Sequence, residues 1–111
     1  MSDRLLSPDL LAHRLEHGPP PADDVVTGSP SAAVETLADL RGVEVGVWEM
    51  TEGTARDTEV DEVFVVLAGA GSVEFEDGER IRLGPGVAVR LRAGERTTWT
   101  VTATVRKVWV A

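Results

Sequence analysis

The sequence predicts an all-β fold in a single domain, and three observations carry that prediction. From Val25 onward the apolar residues recur at every second position, which is the period of a strand with one buried face. Glycine-bearing turn signals interrupt this pattern every several residues, at Thr51-Glu52-Gly53, Gly69-Ala70-Gly71, Asp77-Gly78, Gly84-Pro85-Gly86 and Ala93-Gly94. At 111 residues the chain suits one hydrophobic core, large enough to form without disulfide or metal staples.

The first residues depart from the pattern. Ser7-Pro8-Asp9 followed by Leu10, Leu11 and Leu15 predicts a short helix, with Ser7 as cap, Pro8 at the first helical position and Gly18 at the end. Pro19-Pro20-Pro21 then stops any helix and favours an extended linker. The expected organisation is therefore an N-terminal helix and linker over residues 1–21 and a barrel domain over 22–111. The appendage is expected to lie on the barrel or on a second subunit.

Within the barrel domain, Val25 and Val34 to Leu37 predict two weaker strands. Val43, Val45 and Val47 alternate with Glu44, Gly46 and Trp48 in a stronger one. Glu62 to Ala68 is the most β-prone stretch and is apolar on both parities, so it is expected to be a central strand covered on both faces. Gly69-Ala70-Gly71 is expected to turn the chain into Ser72 to Glu76, and Asp77-Gly78 to form a hairpin back into Ile81 and Leu83. Gly84-Pro85-Gly86 leads into Val87, Val89 and Leu91. Arg92-Ala93-Gly94-Glu95 leads into Thr97 to Thr102, and Val105 to Val110 closes the domain. Eight or so strands suit a closed barrel or two packed sheets. An immunoglobulin-type sandwich is the structural competitor, but its strands are more widely spaced than the glycine punctuation here.

Composition narrows the function. Eleven basic against nineteen acidic residues give a net charge of −8, which disfavours nucleic acid, because affinity for a phosphate backbone rests on Lys and Arg. Without cysteine there is no disulfide framework, thiolate metal site or thiol nucleophile. Met1-Ser2-Asp3-Arg4 leads into only two leucines before Ser7-Pro8, too few for a secretion signal, and no apolar run reaches membrane-spanning length. A cytoplasmic protein without membrane contact is expected.

From Gly46 to Val110 the chain resembles the cupins, and among them the small ureidoglycine aminohydrolase-like group. The matching text is Gly46-Val47-Trp48-Glu49, Asp61 to Gly69, Asp77-Gly78, Gly84-Pro85-Gly86, Ala93-Gly94, Thr98-Trp99 and Arg106-Lys107-Val108. The resemblance implies a jelly-roll barrel, a homodimer, and two metal-binding motifs. The first is a His-x-His pair, then a Glu, then a Gly seven residues beyond it. Glu62 and Gly69 keep that spacing, while the histidine positions carry Arg56 and Thr58, or Ala55 and Asp57, depending on the gap. In the second motif Gly86 and Gly94 fit, Arg92 stands for a proline and Thr97 for the third histidine. Three of the four usual ligands are absent. Since first-row metals take three or four side-chain ligands, with imidazole the commonest nitrogen donor, no metal and no cofactor are expected.

Other ligand sets read as ordinary structure. His13 and His17 would share one face of the predicted helix, but no Glu joins them in a His-Glu-x-x-His arrangement. Asp57, Glu59 and Asp61 alternate on an extended segment with Glu62 opposite; with Glu62 inward, the other three are expected at a rim or in water.

Glu62 is then the residue to explain, because a buried carboxylate needs a partner. Lys107, the only lysine, is the candidate, with Arg90 as the alternative. The pair would sit in a small polar pocket walled by Trp48, Trp99 and Thr97. If instead Lys107 lies on the outer surface, the two never meet; strand register decides. The candidate ligand-binding residues are thus Trp48, Glu62, Phe64, Thr97, Trp99 and Lys107, with Glu62 the candidate catalytic group.

Three functions follow. The first is a metal-free barrel that binds a small polar metabolite. The second is an enzyme of the aminohydrolase or isomerase kind implied by the resemblance, using Glu62 as base or residual metal ligand. The third is a homodimeric interaction module without a ligand.

Overall fold

The computed structural model describes residues 3–111; Met1 and Ser2, at the head of the segment read for a leader, lie outside the described residues. In chain order the strands are β1 (Val25–Thr27), β2 (Ala32–Leu40), β3 (Val43–Met50), β4 (Gly53–Thr58), β5 (Glu62–Phe75), β6 (Arg80–Leu83), β7 (Ala88–Leu91) and β8 (Arg96–Val110). All pairings are antiparallel. The all-β prediction holds.

The architecture hangs on a ribbon of the two longest strands, β5 and β8, paired from Val63 with Val110 to Phe75 with Thr97. Each changes its outer partner halfway along. The first half of β5 pairs with β7, and the facing second half of β8 pairs with β3, which carries β2. The other halves pair with β6 and with β4, which carries β1. The register between β5 and β8 shifts three times from Val66 to Gly71, which bends the ribbon. Two sheets thus face each other from one pair of strands, which is how a jelly roll encloses a core.

This bend replaces the turn expected at Gly69-Ala70-Gly71, and it also joins the two predicted C-terminal strands into one. The local signal was real: Gly69 has φ of 99°, and a Cβ there would run into the Thr104 backbone. Its use is long-range, letting one strand fold over another. Phe64, Val66, Val73, Leu83, Leu91, Val101 and Val105 fill the space between the sheets and are almost fully buried. At about 25 cal/mol per Å² of apolar surface, each contributes roughly 1.5–3 kcal/mol toward folding.

The predicted N-terminal helix is not formed, and a 3-10 turn over Ala22–Asp24 is the only helical element among the described residues. Local caps are spent otherwise. The Asp9 carboxylate accepts from the Leu11 N–H in a single turn, and Ser7 Oγ accepts from the Asp9 N–H. Beyond that turn, the Arg106 guanidinium binds the carbonyls of Leu10 and His13 while pairing with Glu49. Gly18 then pairs with Ala32 at the start of β2. Carbonyls held by a side chain on β8 are not free to close helical turns. The segment therefore lies on the barrel as an extended arm.

With no helix, His13 and His17 do not share a helix face. His13 meets Ser7 and Glu35, and His17 meets Ser31 and Glu49.

Candidate functional site

Strand alternation brings two triplets of β8 inward: Thr97, Trp99 and Val101 from its first half, Val105, Lys107 and Trp109 from its second. Lys107 lies opposite Trp48 on β3 and beside Val66 on β5. Glu62 opens β5 on the parity of Phe64 and Val66, both buried, so its side chain points the same way. The result is an ion pair with Lys107 Nζ at 2.7 Å from Glu62 Oε2, the two side chains 6% and 13% exposed. Arg90, the alternative partner, lies outside, bonded to Asp61 and the Leu91 carbonyl.

The ammonium is enclosed by rings. Lys107 Nζ lies 4.2 Å from the Phe64 centroid, 4.7 Å from Trp48 and 4.8 Å from Trp99. Trp99 contacts both other rings, with centroids 5.2 and 5.5 Å away. A desolvated cation gains up to about 2 kcal/mol from each well-placed ring. Together with Glu62 they offset the cost of taking this ammonium out of water.

Beside the pair lies Glu59, only 8% exposed. This corrects the expectation that it faces a rim or solvent. Ala55, Asp57 and Glu59 share one parity, and Ala55 is buried, so the face they share is the interior one. Only Asp61 leaves it, turning out to Arg90 and the Ala93 N–H. The backbone of Glu59 is clamped on the turn after β7, donating to the Glu95 carbonyl and accepting from the Gly94 N–H. Its carboxyl accepts from Thr97 Oγ1 at 3.4 Å, and Thr97 Oγ1 accepts from Trp99 Nε1 at 3.1 Å. Burial, and after it the Asp57 carboxylate, pushes the Glu59 carboxyl up from 4.5 to about 8, with Lys107 acting the other way. At neutral pH Glu59 holds a proton.

These residues line a cavity of about 250 Å³, which Trp48, Asp57, Glu59, Glu62, Trp99, Lys107 and Trp109 share with a mouth that includes Val34, Glu44 and Val60. Of the predicted residues, Trp48, Glu62, Trp99 and Lys107 line it, while Phe64 and Thr97 stand one layer behind. Asp57, Glu59 and Trp109, which the sequence analysis left off the list of candidate ligand-binding residues, line it as well. The burial of Ala55 marks the parity, and a small apolar residue two positions before Asp57 was the available signal.

The model of the EutQ-like cupin domain matches residues 37–109, well over half of the chain. The chain belongs to the EutQ-like cupin family. The match is to EutQ-like cupins as such and carries no narrower assignment to the ureidoglycine aminohydrolases. Solved structures share the cupin fold. A protein of unknown function from Pseudomonas syringae pv. tomato aligns with a TM-score of 0.77 and 23% identity over 92% of this chain, which spans 45% of that longer protein. The Clostridium difficile EutQ protein aligns with a TM-score of 0.70 and 20% identity, over 94% of this chain and 83% of that one. The ectoine synthase of P. lautus aligns at 0.60 and 21% identity, over 79% and 67%. At such identities the likeness is one of fold. No curated protein sequence matches the chain.

The donor set does not fit the metal that the cupin motifs imply. Ala55 and Asp57, not Arg56 and Thr58, face inward at the first motif, so an alanine stands at one histidine position. Thr97 stands at the third, and the retained Glu62 carboxylate already holds an ammonium. Among the described residues no three His, Asp or Glu side chains converge on one point. Lys107 supplies a tethered positive charge where the motif would otherwise place an ion beside Glu62. No helix among the described residues is long and apolar enough to cross a membrane.

Proposed function

We propose that this EutQ-like cupin binds a small polar metabolite in its barrel without a metal, the Lys107–Glu62 pair taking the ion's place. The observation that carries this reading is the 2.7 Å pair held among three aromatic rings at the wall of a cavity. At about 250 Å³ that cavity is smaller than the roughly 300–1,000 Å³ of drug-sized sites, so its occupant is small. A chain without cysteine suits a reducing compartment, and the cytoplasm is the one this reading takes. The homodimer expected from the family resemblance belongs to it as well, with Leu40, Val43, Val63 and Val110 still exposed on the single chain. A thermal-shift screen of ureides, amino acids and sugars tests the reading. A hit whose NMR shifts fall on the indoles of Trp48, Trp99 and Trp109 is expected; one that maps elsewhere on the barrel contradicts it.

A second reading is catalysis of the aminohydrolase or isomerase kind. What favours it is a carboxyl with its pKa near neutrality, the property of a general base or acid. That group is Glu59 and not Glu62, whose carboxylate is committed to Lys107. Turnover of a ureide or sugar that falls in Glu59→Gln while melting is unchanged supports this reading, and turnover that persists there contradicts it.

A further inference from the structure

The single lysine of the chain is buried and stands at the wall of the cavity. Among the described residues its ammonium has one hydrogen-bond partner, Glu62, for three N–H donors. Glu62, Trp48 and Trp99, three of the four groups around Nζ, line the same cavity, so the amine and its carboxylate share one small space. Stability does not account for this placement, because a buried ion pair is often no better than apolar packing of the same volume. An amine held in an apolar pocket beside a proton acceptor is the arrangement of a nucleophile.

We propose that Lys107 forms an imine with a small uncharged aldehyde or ketone bound in the cavity. This rests on the binding reading above and names its ligand class. As an ammonium Lys107 has no free electron pair, and Glu62 Oε2, 2.7 Å from Nζ, is placed to take one proton. The amine pair then attacks the carbonyl carbon, and the C=O π pair moves to oxygen. That oxygen takes the proton carried by Glu59, and the newly bonded nitrogen returns one to Glu59. In the dehydration the carbinolamine hydroxyl takes the proton from Glu62, the C–O bond breaks, and the nitrogen pair closes the C=N bond. Water leaves, and a protonated imine remains opposite the Glu62 carboxylate, so every charge stands where it began. The step needs no oxidant or reductant. Glu44 and Asp57 on the lining disfavour an anionic carbonyl compound such as an α-keto acid.

Sodium cyanoborohydride reduces a protonated imine to a stable secondary amine, and with one lysine the only other amine is the N-terminal α-amino group. The full chain is treated at pH 7 with propanal, hydroxyacetone or pyruvate and the reductant, and labelled sites are read by peptide mass spectrometry. Indole N–H signals are followed by NMR without reductant. In an unfolded chain the α-amino group, with a pKa of about 8 against about 10.4 for lysine, reacts first. In the folded protein Lys107 is expected to be labelled ahead of it, and guanidinium chloride is expected to reverse the order. Glu59→Gln is expected to slow labelling of Lys107 about a hundredfold, the loss of a positioned general acid. Label on the α-amino group alone while the indoles move, an unchanged rate in Glu59→Gln, or pyruvate reacting as fast as hydroxyacetone overturns the proposal and leaves a binding cavity. No label at Lys107 and no indole movement with any of the compounds counts against the binding reading itself.

Discussion

Replacing Glu59 by Gln keeps the shape and the hydrogen bond from Thr97 but removes the titrating proton. In the folded chain the carboxyl releases its proton near pH 8, against 4.5 in the unfolded chain. Between these values the folded state binds the extra proton, so stability falls as pH rises from about 4.5 to about 8 and levels off above. Each pH unit in that window costs up to about 1.36 kcal/mol, which caps the loss at about 5 kcal/mol. Relaxation toward the cavity mouth lowers the observed figure to a few kcal/mol. Urea midpoints of wild type and Glu59→Gln, measured from pH 5 to pH 9, read the effect, since other titrations cancel between the two. The variants are expected to be close at pH 5, with Glu59→Gln ahead by a few kcal/mol at pH 9. Parallel curves across this range would refute the burial argument.

Lys107→Met and Glu62→Gln each strand a partner in the barrel and are expected to cost about 3–5 kcal/mol, while the double variant recovers a large part; additive losses in the cycle would mean that the pair is not coupled. Gly46→Ala places a methyl group against the Trp109 indole and the Glu35 carbonyl, and chemical denaturation is expected to show a loss of about 1–3 kcal/mol or more. A loss within experimental error there would mean that β2 and β3 yield more easily than their pairing implies. Arg106→Ala releases the carbonyls of Leu10 and His13, so hydrogen exchange over residues 7–18 is expected to quicken while β5 stays protected. Unchanged exchange in the arm would assign its anchorage to other contacts.

The strands could be read from the sequence because their evidence is local: alternation, and glycine at hairpin turns such as Asp77-Gly78. The Glu62–Lys107 pair was legible for a related reason. A carboxylate inside an apolar strand demands a cation, and the chain has one lysine. What failed were features decided at long range. The N-terminal segment carries good helix caps, yet Arg106, more than ninety residues on, takes its carbonyls. Gly69 and Gly71 look like a turn, but they bend one strand over another. Glu59 was placed outside by counting alternation back from Glu62, but β4 ends at Thr58 and β5 starts at Glu62, so that parity does not carry across the link; counted forward from the buried Ala55, it puts Glu59 inside.

In the proposed site a lysine ammonium stands where a cupin motif would hold an ion. Elemental analysis of the protein, purified without chelator, tests this most directly. The expected result is no stoichiometric transition metal. One equivalent of bound metal, lost on Glu62→Gln, would contradict it.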